Sequence, residues 1–102
     1  MARFDVYAYA SRAAPLVIDV QANLLADLST RVVVPLAPKT QASAEALPRL
    51  KPEIVVDATP YILMTTDIAA LPTDRLGPRI GNLETAYRDT ITAALDFLFQ
   101  GF

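Results

Sequence analysis

The sequence predicts a mainly β domain, a small antiparallel barrel or sheet closed by one C-terminal α-helix, and three observations carry this reading. Short runs rich in Val, Ile, Tyr and Phe recur through residues 4–65, separated by proline-, Asp- and Thr-bearing turns. No Gly or Pro occurs from Glu84 to Phe99, although the chain holds eight prolines and three glycines in 102 residues. In that last segment the apolar period becomes helical. Tyr87, Ile91, Ala94, Leu95, Leu98 and Phe102 fall within about 100° of arc, the width of one core-facing stripe.

Taken in order, residues 4–9 (Phe-Asp-Val-Tyr-Ala-Tyr) and Leu16–Gln21 read as two strands of a hairpin, joined by a broad loop from Ala10 to Pro15. Residues 22–30 space Leu24, Leu25 and Leu28 as a helical turn would. Their mixed composition predicts an irregular loop that tucks some leucines into the core. Arg31–Ala37 is the strongest strand, apolar on both faces at Val32-Val33-Val34 and therefore central and buried. Pro35 inside it predicts a bulge or an edge position. Residues 38–52, with Pro38, Pro48 and Pro52, form a long loop holding at most one helical turn around Ala42–Leu47. Glu53–Val56 and Tyr61–Thr65 are two more strands. Residues 69–82 are broken by Leu71-Pro72, Gly77-Pro78 and Gly81-Asn82 into short pieces with one further short strand. Asn82 caps the helix, Glu84 puts negative charge in its first turn, and Gly101 stops it.

Composition excludes much chemistry. The chain has no Cys and no His, hence no disulfide, thiolate nucleophile, imidazole base or Cys/His zinc site. The net charge is −2, with six bases against four acids in residues 1–51 and three against seven in 52–102. With an isoelectric point near 4.8 and no basic run, direct nucleic-acid binding through a cationic face is not expected. The N-terminus lacks a secretory h-region and no stretch approaches a membrane span, so a cytoplasmic protein of one domain, residues 1–102, is expected, with no membrane partner and no cofactor. Asp57, Asp67 and Asp74 are spaced irregularly in turn-rich segments. They read as solvated turn residues and not as a metal site.

A set of segments is more specific than these patterns: Val6-Tyr7-x-Tyr9, Leu16-x-x-Asp19-Val20-Gln21, Arg31-x-Val33-x-Pro35-Leu36-Ala37, Met64-Thr65-Thr66-Asp67, Pro72, Gly77, Leu83 and the ending Phe99-x-Gly101. In these the chain resembles the CcdB family of plasmid-maintenance toxins of type II toxin–antitoxin systems, over essentially its full length. The resemblance implies an SH3-like barrel of the kind shared with MazF-like toxins, a homodimer, and non-enzymatic poisoning of DNA gyrase, a type II topoisomerase, through its A subunit. It further implies neutralisation by a cognate antitoxin.

The family ends on aromatic-Trp-Gly-Ile, whereas this chain ends Phe99-Gln100-Gly101-Phe102. The implied gyrase contacts are Gln100, Gly101 and Phe102, with Leu24 and Leu25 as lesser contributors. Replacing a stacking Trp by Gln removes the kind of anchor that carries about 2 kcal/mol or more, so weak gyrase binding is expected.

For the antitoxin, a disordered arm needs a long receiving surface, and the loops Ala10–Pro15 and Pro38–Pro52 supply it. Arg12, Lys39, Arg49 and Lys51 give them four positive charges against the single acid Glu45, a face that steers an acidic arm.

Two alternatives come from other classes. One is a MazF-like ribonuclease toxin in which Arg31 and Lys39 grip a phosphate; the plainer reading is that both residues are solvated strand ends. The other is a family member that keeps the fold and the antitoxin but has lost gyrase binding. Likewise Met64–Asp67 reads first as a structural turn after a strand.

Overall fold

The computed structural model describes residues 1–102 as one antiparallel sheet that curls around a C-terminal helix. Its strands are β1 (Asp5–Ala8), β2 (Leu16–Asp19), β3 (Thr30–Pro38), β4 (Glu53–Val56), β5 (Thr59–Leu63), β6 (Ala69–Pro72) and β7 (Arg79–Asn82). The helices are a single turn, α1 (Lys39–Ala42), and the long α2 (Glu84–Gln100).

The strand order is β4-β5-β3-β2-β1-β7, with β6 added beside β3. Thus β3 pairs with β2 along one edge and with two strands in succession along the other: β6 at Thr30–Val33 and β5 at Leu36–Pro38. Pro35 falls at the junction between those two partners. Its carbonyl still accepts the Met64 N–H at 2.9 Å, while its missing donor lies where neither ladder needs one. That is why a proline sits inside the central strand without the bulge expected of it.

Residues 69–82 contribute two strands, not one. Local propensity is weak in both, and pairing to β3 and β1 forms them. Beside them Gly77 is required by close approach, since a Cβ there would lie 2.7 Å from the Ala8 carbonyl oxygen.

Alternation along the strands makes two interiors. Val6, Ile18, Val34 and Leu36 point to one side and pack with Ile54 and Leu63 against Ile91, Ala94 and Leu95 of α2. Tyr7, Val17 and Val33 point to the other, with Leu71 and Leu76 packed against them. The Tyr87 hydroxyl accepts the Val55 N–H at 3.0 Å and ties α2 to the outer strand β4.

Of the helical stripe, Ile91, Ala94 and Leu95 are buried, Tyr87 and Leu98 are half-buried, and Phe102 is 75% exposed. The helix ends before Phe102, so the stripe does not extend to it. Asn82 sits one residue ahead of the helix boundary, and its Oδ1 accepts the Glu84 N–H at 2.8 Å as a cap does. Gly101 takes the left-handed conformation (φ +80°) and its N–H donates to the Phe97 carbonyl, ending the helix. The β4–β5 hairpin turns at Asp57 and Ala58, both with positive φ (49° and 64°), where right-handed strand twist demands a mirror-image turn. No helix is long and apolar enough to cross a membrane.

Candidate functional site

The loop between β2 and β3 is a 3-10 turn at Asn23–Leu25 held by local bonds, Leu25 N–H to Ala22 O and Ala26 N–H to Asn23 O. The leucines expected to tuck inward do not. Leu24 is 94% exposed, Leu25 47% and Leu28 51%. The sheet core is already closed beneath them by Val20 and its neighbours. Instead Leu25 and Leu28 form one wall of an open apolar groove of about 420 Å³, whose other wall is Leu95 and Phe99 of α2, with Val32 and Ile68 between. Phe99 itself is 69% exposed.

The expected gyrase set is therefore divided. Leu25 shares the groove with Phe99, but Phe102 lies elsewhere, beside Pro48, Arg49, Ala93 and Asp96 in a second depression. Gln100 and Gly101 are exposed and line neither. Leu24 lines neither.

The four basic residues do not form one free cationic face. Lys39 pairs with Glu53 at 2.8 Å, Lys51 pairs with Glu45 at 3.3 Å, and the Arg49 guanidinium stacks 4.3 Å from the centre of the Phe97 ring. Arg12 is exposed in its loop, without an ion pair. Glu53, counted in the sequence with a strand, turns out to face Lys39.

The two loops do meet, however. They flank a groove of about 440 Å³ lined by Tyr9, Ala13, Ala14, Ala37, Ala42 and Met64, with Glu45 and Asp67 among its polar groups. It is apolar with carboxylates and carries no basic residue. Met64-Thr65-Thr66-Asp67 is the turn on its far side: Met64 bonds to Pro35, Asp67 N–H to Met64 O, and Thr65 is buried.

Arg31 departs most from expectation. It is not a solvated strand end but wholly enclosed, as is Asp19, and its Nε donates to Asp19 Oδ2 at 2.7 Å. Asp19 stands opposite Val33, so Arg31 is its diagonal neighbour on the same side of the sheet. Burial pushes the Asp19 carboxyl up, against the Gln21 N–H and Arg31, which both favour the charged form.

Nearby Asp5 is also buried, which raises its pKa. The amide of Asn82, the Ala2 N–H, Arg79 and Tyr7 together outweigh that and hold it below the usual carboxylate value. Burial first, and then the Asp5 charge, push the Tyr7 hydroxyl up to about 12. This cluster reaches no groove. Lys39 is eight residues along from Arg31, roughly 26 Å of strand at 3.3 Å per residue, so the two cannot grip one phosphate.

Among solved structures, the chain is similar to an endoribonuclease in complex with its cognate antitoxin from mycobacterial species. That match has 22% identity and a TM-score of 0.71, covering 94% of this chain and 91% of that one. It is similar to the same extent to an endoribonuclease from mycobacterial species, with 22% identity, a TM-score of 0.71, and 94% and 88% coverage. At this identity the likeness concerns the fold. The family model described as CcdB protein matches residues 3–101. With almost every residue inside that match, the chain belongs to the CcdB family of toxins.

Proposed function

We propose that the protein is the toxin of a type II toxin–antitoxin pair: a non-enzymatic poison of DNA gyrase that acts through the A subunit as a homodimer and is neutralised by a cognate antitoxin. The observation that carries this reading is the apolar groove between the β2–β3 loop and the end of α2. Exposed Leu25, Leu28 and Phe99 form a continuous surface, which a protein that stays alone in water seldom maintains. In this reading the groove mates two copies, and the exposed residues outside it (Leu24, Gln100, Gly101 and Phe102 of each) face gyrase.

The ribonuclease reading draws support from the fold shared with endoribonucleases. The residues it calls on, Arg31 and Lys39, are respectively enclosed and ion-paired at opposite ends of β3, which favours the non-enzymatic reading. An antitoxin arm would lie in the groove between residues 10–15 and 38–52. Its affinity there would come from apolar contacts and backbone, with Arg12 the basic side chain left free to meet an acid.

The test is a gyrase-mediated DNA cleavage assay beside direct titration of the gyrase A subunit. The unaltered protein is expected to bind weakly, and Gln100→Trp to bind tighter by tenfold or more. Absence of binding by both forms would identify a family member that has kept its fold but not this target. RNA cleavage by the purified protein, lost on Arg31→Ala with the fold intact, would replace the proposal with the enzymatic one.

A further inference from the structure

Of the Asp19-Val20-Gln21 triplet, Asp19 is wholly enclosed, whereas Val20 and Gln21 line the floor of the groove beside Leu25 and Leu28. Gln21 is buried, 6% exposed, and its side chain bonds backbone in two directions. Its Oε1 accepts the Val32 N–H at 3.0 Å, and its Nε2 donates to the Leu25 carbonyl at 2.9 Å. The Gln21 N–H in turn donates to Asp19 Oδ1 at 2.9 Å, and Asp19 Oδ2 accepts from Arg31. A continuous line of hydrogen bonds thus runs from an enclosed guanidinium to the middle of an exposed loop.

The bonds inside that loop are local and shape its turns without locating them on the sheet. Two other bonds locate its ends: the Arg3 N–H to Asn23 Oδ1, which is exposed, and the Thr73 N–H to the Ser29 carbonyl. The stretch that carries Leu25 and Leu28 is tied down by Gln21.

We propose that Gln21 is the positioning residue of the docking groove, holding Leu25 and Leu28 against the sheet so that the wall opposite Phe99 is formed before a second copy arrives. This rests on the dimer-mating role proposed above for the groove. A side-chain amide suits the task because it accepts and donates at once. Met of similar length does neither, and an ionised Glu accepts from Val32 but has nothing to offer Leu25. A loop ordered only on contact lowers the apparent affinity by the fraction of time it is out of place.

The experiment uses the full chain with Gln21→Met, alone and together with Ala22→Pro. Ala22 has φ −58° and its N–H has no acceptor, so proline fits there and stiffens the loop without Gln21. Amide hydrogen exchange at low protein concentration should be at least tenfold faster at Ala26 and Leu28 in Gln21→Met. It should be unchanged at Ile18, Val34 and Ile91, and largely restored by Ala22→Pro. The dimer dissociation constant, from sedimentation, should rise at least tenfold and recover in the double variant.

Faster exchange everywhere, or none at the loop, would show Gln21 to be core packing only. A loosened loop with an unchanged dissociation constant would overturn the docking role. If Gln21→Met does not fold, Gln21→Glu removes the Leu25 bond alone, and the same selective pattern is required of it. An unaltered protein that stays monomeric at tens of micromolar would sink the dimer reading itself, leaving the exchange pattern to decide whether Gln21 positions the loop.

Discussion

Asp19 and Arg31 are fully enclosed, while a few residues away along the same β2–β3 connection Leu24 is 94% exposed and Leu25 and Leu28 about half so. Each region inverts the usual partition of polar and apolar side chains, for opposite reasons. The buried pair finds its partners inside the chain. Asp19 collects the Gln21 N–H and the Arg31 Nε–H, while Arg31 Nη1 and Nη2 make no hydrogen bond and Nη2 meets Asp19 only as an ion-pair contact. An enclosed pair of this kind contributes little net stability, because desolvation offsets most of the attraction, but losing one member is costly. The exposed leucines and Phe99 contribute almost nothing to the isolated fold and become favourable only when something covers them. The polar residues here serve the architecture, and in the function proposed above the apolar ones serve contact, so a residue's side of the surface does not by itself tell which of the two it does.

Removing one member of the enclosed pair should give the largest effect. Arg31→Leu leaves the Asp19 carboxylate buried without its cation and should lower unfolding free energy by about 3–5 kcal/mol in urea titrations. Replacing both, as Asp19→Leu with Arg31→Met, should recover most of that loss, since two apolar groups leave no stranded charge. A double variant as unstable as the single would mean that the pair stabilises the fold by more than it costs to bury.

At the apolar end the pattern should reverse. Phe99→Asp is expected to alter the unfolding free energy by no more than about 0.5 kcal/mol when the protein is dilute, because the ring is already mostly in water. The same change should abolish self-association at tens of micromolar, as read by light scattering. A large loss of stability without a change in mass would mean that Phe99 belongs to the core and not to an interface.

The last effect is confined to extreme pH and concerns the buried hydroxyl beside the ionic cluster. Tyr7 has its pKa raised from 10.0 to about 12, so the folded state keeps a proton that the unfolded chain releases. Stability from this group is therefore complete below pH 10 and declines as pH rises toward 12. Tyr7→Phe should flatten that part of the stability profile and delete the tyrosinate absorbance that appears near pH 12. Asp5 acts at the other limit. Its lowered pKa supplies stability present above pH 3.8 and lost as acid protonates the folded state, a dependence that Asp5→Asn should remove.

What the sequence determined by itself was local. Short runs of β-branched and aromatic residues made β1, β2, β3 and β4 legible, the change to a 3.6-residue period made α2 legible, and Gly101 marked its end, because each is decided by residues within a few positions of one another. The family segments were legible too, Asp19-Val20-Gln21 among them, without any sign of what the triplet does. Tertiary structure decided everything that depended on register. Arg31 looked like a strand-end cation until β2 and β3 aligned and set Asp19 diagonally beside it. Lys39 looked free until Glu53 faced it, and β7 looked like a broken segment until β1 supplied its partner. The leucines of the β2–β3 loop looked like core because apolar residues usually are. Their place outside follows from a core already filled by Ile18, Val34 and Ile91, a question of volume that no local pattern encodes.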